Sequence, residues 1–164
     1  MPYFKAASIA GEDFERGIEI IEVSTGSRIS MLVTRIFLGL VGLVYLYLAA
    51  WCSLKPEQTS QLVGFELKPG SGQSEFLVIY GGLELALGLV FLWPLLRPEQ
   101  LKSMLLVCLI VHACIVTFRS ISFGMYSGIQ PMTRSLAFYE WLIFIGSAVL
   151  VYLESRVENN HVKL

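Results

Sequence analysis

The stretch LKSMLLVCLIVHACIVTFRSIS, Leu101–Ser122, holds 22 residues, of which only Lys102 and Arg119 carry a full charge. A bilayer hydrocarbon core about 30 Å thick is crossed by roughly 20 helical residues. Lipid offers no partners for backbone N–H and C=O groups, so an apolar run of this length is expected to be helical. The stretch therefore predicts a transmembrane helix.

Three further apolar runs of similar length predict a bundle rather than a single anchor. They are Met31–Ser53, Glu75–Leu96 and Leu136–Leu153. The charged fraction of 15% is well below the roughly 25% of soluble domains. A net charge of −1 gives no electrostatic basis for binding nucleic acid. We therefore predict an all-α membrane protein with an antiparallel four-helix bundle over residues 31–153.

The distribution of basic residues predicts the orientation of the bundle, since cytoplasmic segments carry an excess of Lys and Arg. Eight basic residues belong to the side of the N-terminus and four to the opposite side. The first group is Lys5, Arg16, Arg28, Arg35, Arg97, Lys102, Arg156 and Lys163, and the second is Lys55, Lys68, Arg119 and Arg134. We therefore expect both termini to lie in the cytoplasm.

The two tails are expected to be cytoplasmic. Residues 1–30 contain Phe14, Ile18 and Ile21 at helical spacing within Glu12–Val23, which predicts a short amphipathic helix. This tail has five acids and three bases, so adsorption to anionic lipid is disfavoured and docking on the bundle or on a partner fits better. Residues 154–164 form the C-terminal tail.

Charged residues at membrane depth are the candidates for function, because each costs at least about 2.5–3.5 kcal/mol on insertion scales. Apart from the boundary residue Lys102, they are Arg35, Glu75, Glu84, Arg119 and Glu140. In an antiparallel bundle Glu75, Arg119 and Glu140 converge near the outer interface. One guanidinium can bind one carboxylate with two hydrogen bonds and share a second carboxylate. Arg35 is expected to reach the cytoplasmic surface or Glu154.

A second polar pair lies deeper. Glu84 and His112 both fall near the midplane at about 1.5 Å per residue, and we expect Glu84 to be protonated or hydrogen-bonded to His112. Glu75 and Glu84 are nine residues apart, which places them on opposite sides of an ideal helix. Gly81 and Gly82 between them could permit a distortion.

Structural roles compete with functional ones for these residues. The outer trio could simply clamp the helices together, and glycines in the second span suit close helix packing. The three cysteines, Cys52, Cys108 and Cys114, have no close spacing, so neither a disulfide framework nor a metal site is predicted. The aromatic residues Tyr45 and Trp51 are interpreted as belt or packing residues.

Spaced motifs in the spans resemble a known family. They are Ser74-Glu75, Tyr80-Gly81-Gly82-Leu83-Glu84, Arg119-Ser120 and Glu140. Together they resemble the small bacterial four-helix proteins of domain of unknown function 4345, which look distantly DoxX-like, over Met31 to Leu153. The family usually has an Arg two residues after the first Glu, where Leu77 stands here. The resemblance implies a four-helix bundle in a bacterial inner membrane and no established activity.

These observations favour a non-catalytic multi-pass protein that binds a lipophilic molecule, a partner membrane subunit or a second copy. No catalytic residue is assigned, and the cofactor is unknown. The candidate ligand-binding residues are Glu75, Tyr80, Glu84, His112, Arg119 and Glu140. The alternative is a membrane enzyme, either a quinone-linked redox subunit or a proton-shifting isomerase, with Glu84 and His112 as acid and base.

Overall fold

The computed structural model describes the backbone of residues 3–161 and the side chains of residue 26 and residues 28–156, and this part of the chain contains no strand. The α-helices are α1 (Tyr3–Leu54), α2 (Pro56–Leu62), α3 (Ser71–Phe76), α4 (Glu84–Leu96), α5 (Leu101–Met125) and α6 (Pro131–His161). A π-helical segment, Leu77–Leu83, joins α3 to α4, and a 3₁₀ turn, Pro98–Gln100, joins α4 to α5.

Four helical segments are long and apolar enough to cross a membrane. They are Arg28–Leu54, Ser71–Leu96, Pro98–Met125 and Pro131–Arg156. Each contains one of the apolar runs predicted from the sequence and extends it by a few residues. The predicted all-α architecture with four membrane-crossing helices is therefore confirmed.

The N-terminal segment is continuous with the first span. Helix α1 runs without interruption from Tyr3 to Leu54, so the helix predicted over Glu12–Val23 is the first part of a longer one. The side chains that would make this segment amphipathic lie outside the described residues. Its docking on the bundle or on a partner stays a prediction.

The bundle is held mainly by the pairing of α1 with α4 and of α5 with α6. Its apolar core is formed by Leu38, Val41, Tyr45, Phe91, Leu101, Leu105, Cys108 and Leu150. Polar side chains are enclosed as well, and Thr34, His112 and Ser147 are 0% exposed. Large apolar side chains such as Phe118 and Tyr139 point outward, which in a membrane places them against lipid.

The second span is not a regular α-helix. Its central segment, Leu77–Leu83, is π-helical and includes both Gly81 and Gly82. A β-carbon on Gly81 would lie 2.6 Å from Ser53 Oγ, so α1 approaches the π-helical backbone closely here. Turns of π-helix are rare in proteins, and those that occur often lie at functional sites. The side chains around this segment are therefore candidates for function.

Candidate functional site

Arg119 on α5 and Glu140 on α6 form a two-point ion pair. Arg119 Nε donates to Glu140 Oε2 at 2.8 Å, and Nη2 donates to Oε1 at 2.5 Å. The two side chains are 27% and 18% exposed. Both guanidinium-to-carboxylate bonds are charge-assisted, and a two-point pair of this kind is stronger and geometrically more specific than a single hydrogen bond. The predicted convergence of α5 and α6 through these residues is correct.

Glu75 does not join this pair. It is exposed on α3, and among the described side chains no ion pair or hydrogen bond connects it to Arg119. The neighbouring residue Phe76 is 5% exposed and takes the inward position instead. The three-residue cluster predicted from depth alone is therefore a two-residue ion pair, because depth does not determine which face of the helix a residue occupies.

His112 is paired with Tyr45 and not with Glu84. His112 Nδ1 lies 2.8 Å from the carbonyl oxygen of Cys108, which can only accept, so this nitrogen carries a proton. In the neutral ring Nε2 accepts a hydrogen bond, and the Tyr45 hydroxyl donates it at 3.2 Å. Phe91 packs at 6.1 Å between ring centroids. Both ring nitrogens are thus occupied, and the predicted hydrogen bond from His112 to Glu84 is absent from the described structure.

Glu84, at the start of α4, retains an unsatisfied atom. Its Oε2 is buried, and within the part of the chain whose side chains are described it has no hydrogen-bond partner. Buried side-chain polar atoms in folded proteins are nearly always hydrogen-bonded, so each exception needs an explanation. The position of Glu84 in a cavity wall suggests one.

The cavity beside Glu84 has a volume of about 60 Å³. It is enclosed by the end of α1, by α2, by the second span and by the start of α6. Its walls are mostly apolar and aromatic. The lining residues are Leu48, Trp51, Cys52, Thr59, Leu62, Val63, Phe76, Tyr80, Glu84, Met132 and Leu136. We call this space the Glu84 cavity.

The π-helical segment sets the wall that carries Glu84. Phe76, Tyr80 and Glu84 are four residues apart in sequence and line the same cavity. An α-helix has 3.6 residues per turn, so a four-residue spacing drifts around it, whereas the wider π turn reduces this drift. The distortion that Gly81 and Gly82 were expected to permit is therefore present, but it brings Phe76, and not Glu75, to the same wall as Glu84.

Helix α2, in the connection between α1 and the second span, covers one side of the Glu84 cavity. Thr59 Oγ1 donates to the carbonyl of Lys55 at 2.9 Å, and Ser60 Oγ donates to that of Glu57 at 3.0 Å. Because these hydroxyl protons are used locally, neither is directed to Glu84. The connection after Leu54 is thus a cover for one end of the bundle rather than a plain surface loop.

A separate polar contact ties the other end of the bundle together. Glu154 accepts hydrogen bonds from the hydroxyls of Ser30 and Thr34, each at 3.2 Å. Arg35 does not meet Glu154 but donates to the carbonyl oxygen of Leu95 at 3.4 Å, near the end of α4. The expected contact of Arg35 with Glu154 is therefore absent among the described residues, and its reach to the cytoplasmic surface stays a prediction.

The sequence interpretation missed two features of this region. Tyr45 was assigned to packing, although it belongs to the buried series Leu38, Val41, Tyr45, Ala49 and Cys52, whose spacings of three and four mark one face of α1. That periodicity could have identified Tyr45 as an inward partner for His112. The covering role of α2 has no comparable signal, because a seven-residue helix carries little periodic information.

These features define a small four-helix membrane protein with a covered cavity beside Glu84, whose Oε2 has no partner among the described side chains. The chain matches the family described as domain of unknown function (DUF4345) over residues 33–152, and it belongs to that family. No curated protein and no solved structure matches the chain.

Proposed function

We propose that the chain is a multi-pass protein of the bacterial inner membrane that binds a lipophilic molecule with a polar head in the Glu84 cavity. The observation that carries this proposal is the buried Oε2 of Glu84, which has no hydrogen-bond partner among the described residues. A ligand that donates a hydrogen bond would satisfy this atom.

The energetic argument concerns the cost of an unsatisfied group. A buried acceptor without a partner costs about 1–3 kcal/mol, and more if it is charged. A carboxyl group near the bilayer midplane adds an insertion cost of similar size. A ligand head that donates to Glu84 would recover part of both costs, which gives a reason for the group to be held in a cavity.

The shape of the cavity supports a head group with a tail. Roughly 10–15 Å³ is needed to hold one water molecule, so about 60 Å³ accommodates a group of a few non-hydrogen atoms. This is too little for a whole lipid. The apolar walls and the surrounding bilayer suit a ligand whose head enters the cavity and whose tail remains among lipid or between helices.

The candidate residues Arg119, Glu140 and His112 do not line this cavity. Arg119 and Glu140 satisfy each other, and His112 is saturated by Tyr45 and Cys108. Acid–base chemistry shared by Glu84 and His112 has no geometric support, since no hydrogen bond links them in the described region. We therefore restrict the proposed binding residues to Glu84 and Tyr80, together with the apolar walls.

Native mass spectrometry of the purified protein tests this proposal. The full chain is extracted in mild detergent and released from it in the spectrometer. We expect a mass adduct on the wild type that is strongly reduced in Glu84→Gln, which removes the acidic group but keeps the size of the side chain. The matched control is Glu75→Gln on the same span, whose exposed side chain lies outside the cavity.

The control should retain the adduct. A wild-type protein without any adduct would overturn the proposal, and so would an adduct that is equally abundant in Glu84→Gln and the wild type. Extraction in a second detergent distinguishes a specific adduct from bound detergent.

A further inference from the structure

The Glu84 cavity combines a carboxyl group with aromatic side chains. Trp51, Phe76 and Tyr80 all contribute to its walls. Phe76 and Tyr80 are stacked at 4.6 Å between ring centroids, and Phe65 packs against both. Aromatic faces attract cations electrostatically, and aromatic walls with an acidic group are a known way to recognise substituted ammonium groups.

The protein supplies no cation to this carboxyl group within the described residues. Arg119, a basic residue of the neighbouring α5, uses two of its nitrogens on Glu140. His112 donates from Nδ1 to a carbonyl and has Tyr45 on Nε2. Arg134 donates to the carbonyl of Ile129 in the outer connection. None of these three residues therefore compensates a negative charge on Glu84, whereas a cationic ligand would.

No hydrogen-bond donor of the described residues reaches Glu84 Oε2. Thr59, the hydroxyl-bearing residue of α2 in the cavity wall, donates to backbone carbonyls of its own turn. Trp51, Cys52 and Tyr80 in the same wall carry donor groups, yet the Oε2 atom has no partner in the described part of the chain. The site is complementary to a group that carries both a positive charge and N–H donors.

We propose that the ligand of the Glu84 cavity is a lipophilic amine, bound through its ammonium head. This inference rests on the proposed function and specifies the chemical class of the ligand. The ammonium head donates to Glu84, its charge lies against Trp51 and Tyr80, and its alkyl tail remains in apolar surroundings. The cavity volume of about 60 Å³ fits an ammonium group with one or a few small substituents.

A matched pair of probes separates charge from hydrogen bonding. Decylamine and decanol have the same tail and both donate hydrogen bonds, but only decylamine carries a positive charge near neutral pH. Binding is measured to the full chain in phosphatidylcholine nanodiscs, with empty nanodiscs subtracted to remove partitioning into lipid. The variants are Glu84→Gln and its control Glu75→Gln.

We expect decylamine to bind the wild type and Glu75→Gln at least about tenfold more tightly than decanol, because hydrogen bonds between charged groups are roughly twice as strong as neutral ones. In Glu84→Gln this preference should vanish. Tyr80→Leu gives a second test that leaves the acid in place, and it should weaken decylamine binding while Tyr126→Leu, at an exposed position outside the cavity, should not.

The outcomes distinguish this inference from the proposed function. If both probes bind with equal affinity and both are weakened by Glu84→Gln, the cavity binds polar heads but the amine assignment is wrong. If neither probe shows binding that depends on Glu84, the amine assignment is overturned, and the native mass spectra then decide whether the cavity binds any other lipophilic molecule. A preference for the amine that persists in Glu84→Gln also contradicts the inference.

Discussion

Gly42 on α1 and Gly88 on α4 meet backbone to backbone. A β-carbon on Gly42 would lie 3.0 Å from the carbonyl oxygen of Gly88, and one on Gly88 would lie 3.1 Å from that of Gly42. Side chains add to the crowding, since Leu92 and Leu46 lie 2.7 Å from the two β-carbon positions. Small residues permit this approach, and van der Waals packing of this kind drives helix association in lipid.

Gly88→Ala is therefore expected to destabilise the bundle. The added methyl group must displace the carbonyl of Gly42, which is backbone and cannot rotate away, so we expect a loss of about 1–3 kcal/mol. Gly82→Ala is the control, because nothing lies within 4 Å of the β-carbon position there. Equilibrium unfolding in detergent measures both variants. Equal stability of Gly88→Ala and the wild type would show that α1 and α4 do not cross at this point.

The ion pair of Arg119 with Glu140 is expected to show strong energetic coupling. Removing one partner leaves the other at membrane depth without compensation, and breaking a fully buried pair costs about 3–5 kcal/mol. Because both side chains keep some exposure, we expect a coupling of about 1–3 kcal/mol in a double-mutant cycle with Arg119→Ala and Glu140→Ala.

The chain provides a control for that cycle. Arg97 and Glu99 lie 3.9 Å apart in the connection between α4 and α5, with side chains 64% and 60% exposed. A pair this exposed should couple by less than about 1 kcal/mol. Couplings of the same size for both pairs would contradict the assignment of Arg119 and Glu140 as the buried clamp.

Tyr45→Phe tests the hydrogen bond to His112. The substitution keeps the ring packing against Phe91 but leaves His112 Nε2 without a donor. Hydrogen bonds between membrane helices are worth roughly 0.5–2 kcal/mol, and we expect a loss of stability in that range. Tyr47→Phe changes a side chain that is 64% exposed and should have no effect. A loss of stability of the same size in Tyr47→Phe would show that the effect does not come from the hydrogen bond to His112.

Cysteine labelling tests the proposed orientation. Glu99 precedes α5 and Ser127 follows it, so the two lie at opposite ends of one span. In a variant whose three native cysteines are replaced by alanine, Ser127→Cys should react with a membrane-impermeant maleimide in intact spheroplasts. Glu99→Cys should react only after the membrane is opened. The reverse pattern would place the termini outside the cytoplasm.

The sequence predicts the membrane-crossing helices well because their cause is local. In lipid, an apolar run long enough to cross the bilayer must form its own backbone hydrogen bonds, whichever helices pack beside it. The order of the spans also fixes depth, which is why Arg119 and Glu140 could be predicted to lie at the same level of the bundle. These parts of the structure need no knowledge of how each helix is rotated.

The remaining contacts depend on rotation and could not be read in the same way. Glu75 was placed in the outer cluster by depth alone, yet its neighbour Phe76 faces inward. His112 selects Tyr45 because α1 presents that residue to it, and the sequence does not state which span is adjacent. Predicting the Glu84 cavity requires knowing where α2 lies, and the placement of this short helix depends on the folded bundle.

The π-helical segment Leu77–Leu83 acts as a phase shift in the second span. Across this segment the side chains do not follow the 3.6-residue repeat of an α-helix. The sequence spacing of two residues on either side of it therefore does not give their relative direction in the usual way. If this segment were α-helical at its present length, the eight residue steps from Phe76 to Glu84 would span about 800°, which is about 80° beyond two full turns. Phe76 and Glu84 would then face different directions, whereas the wider turns of the π-helical segment keep both in the wall of one cavity.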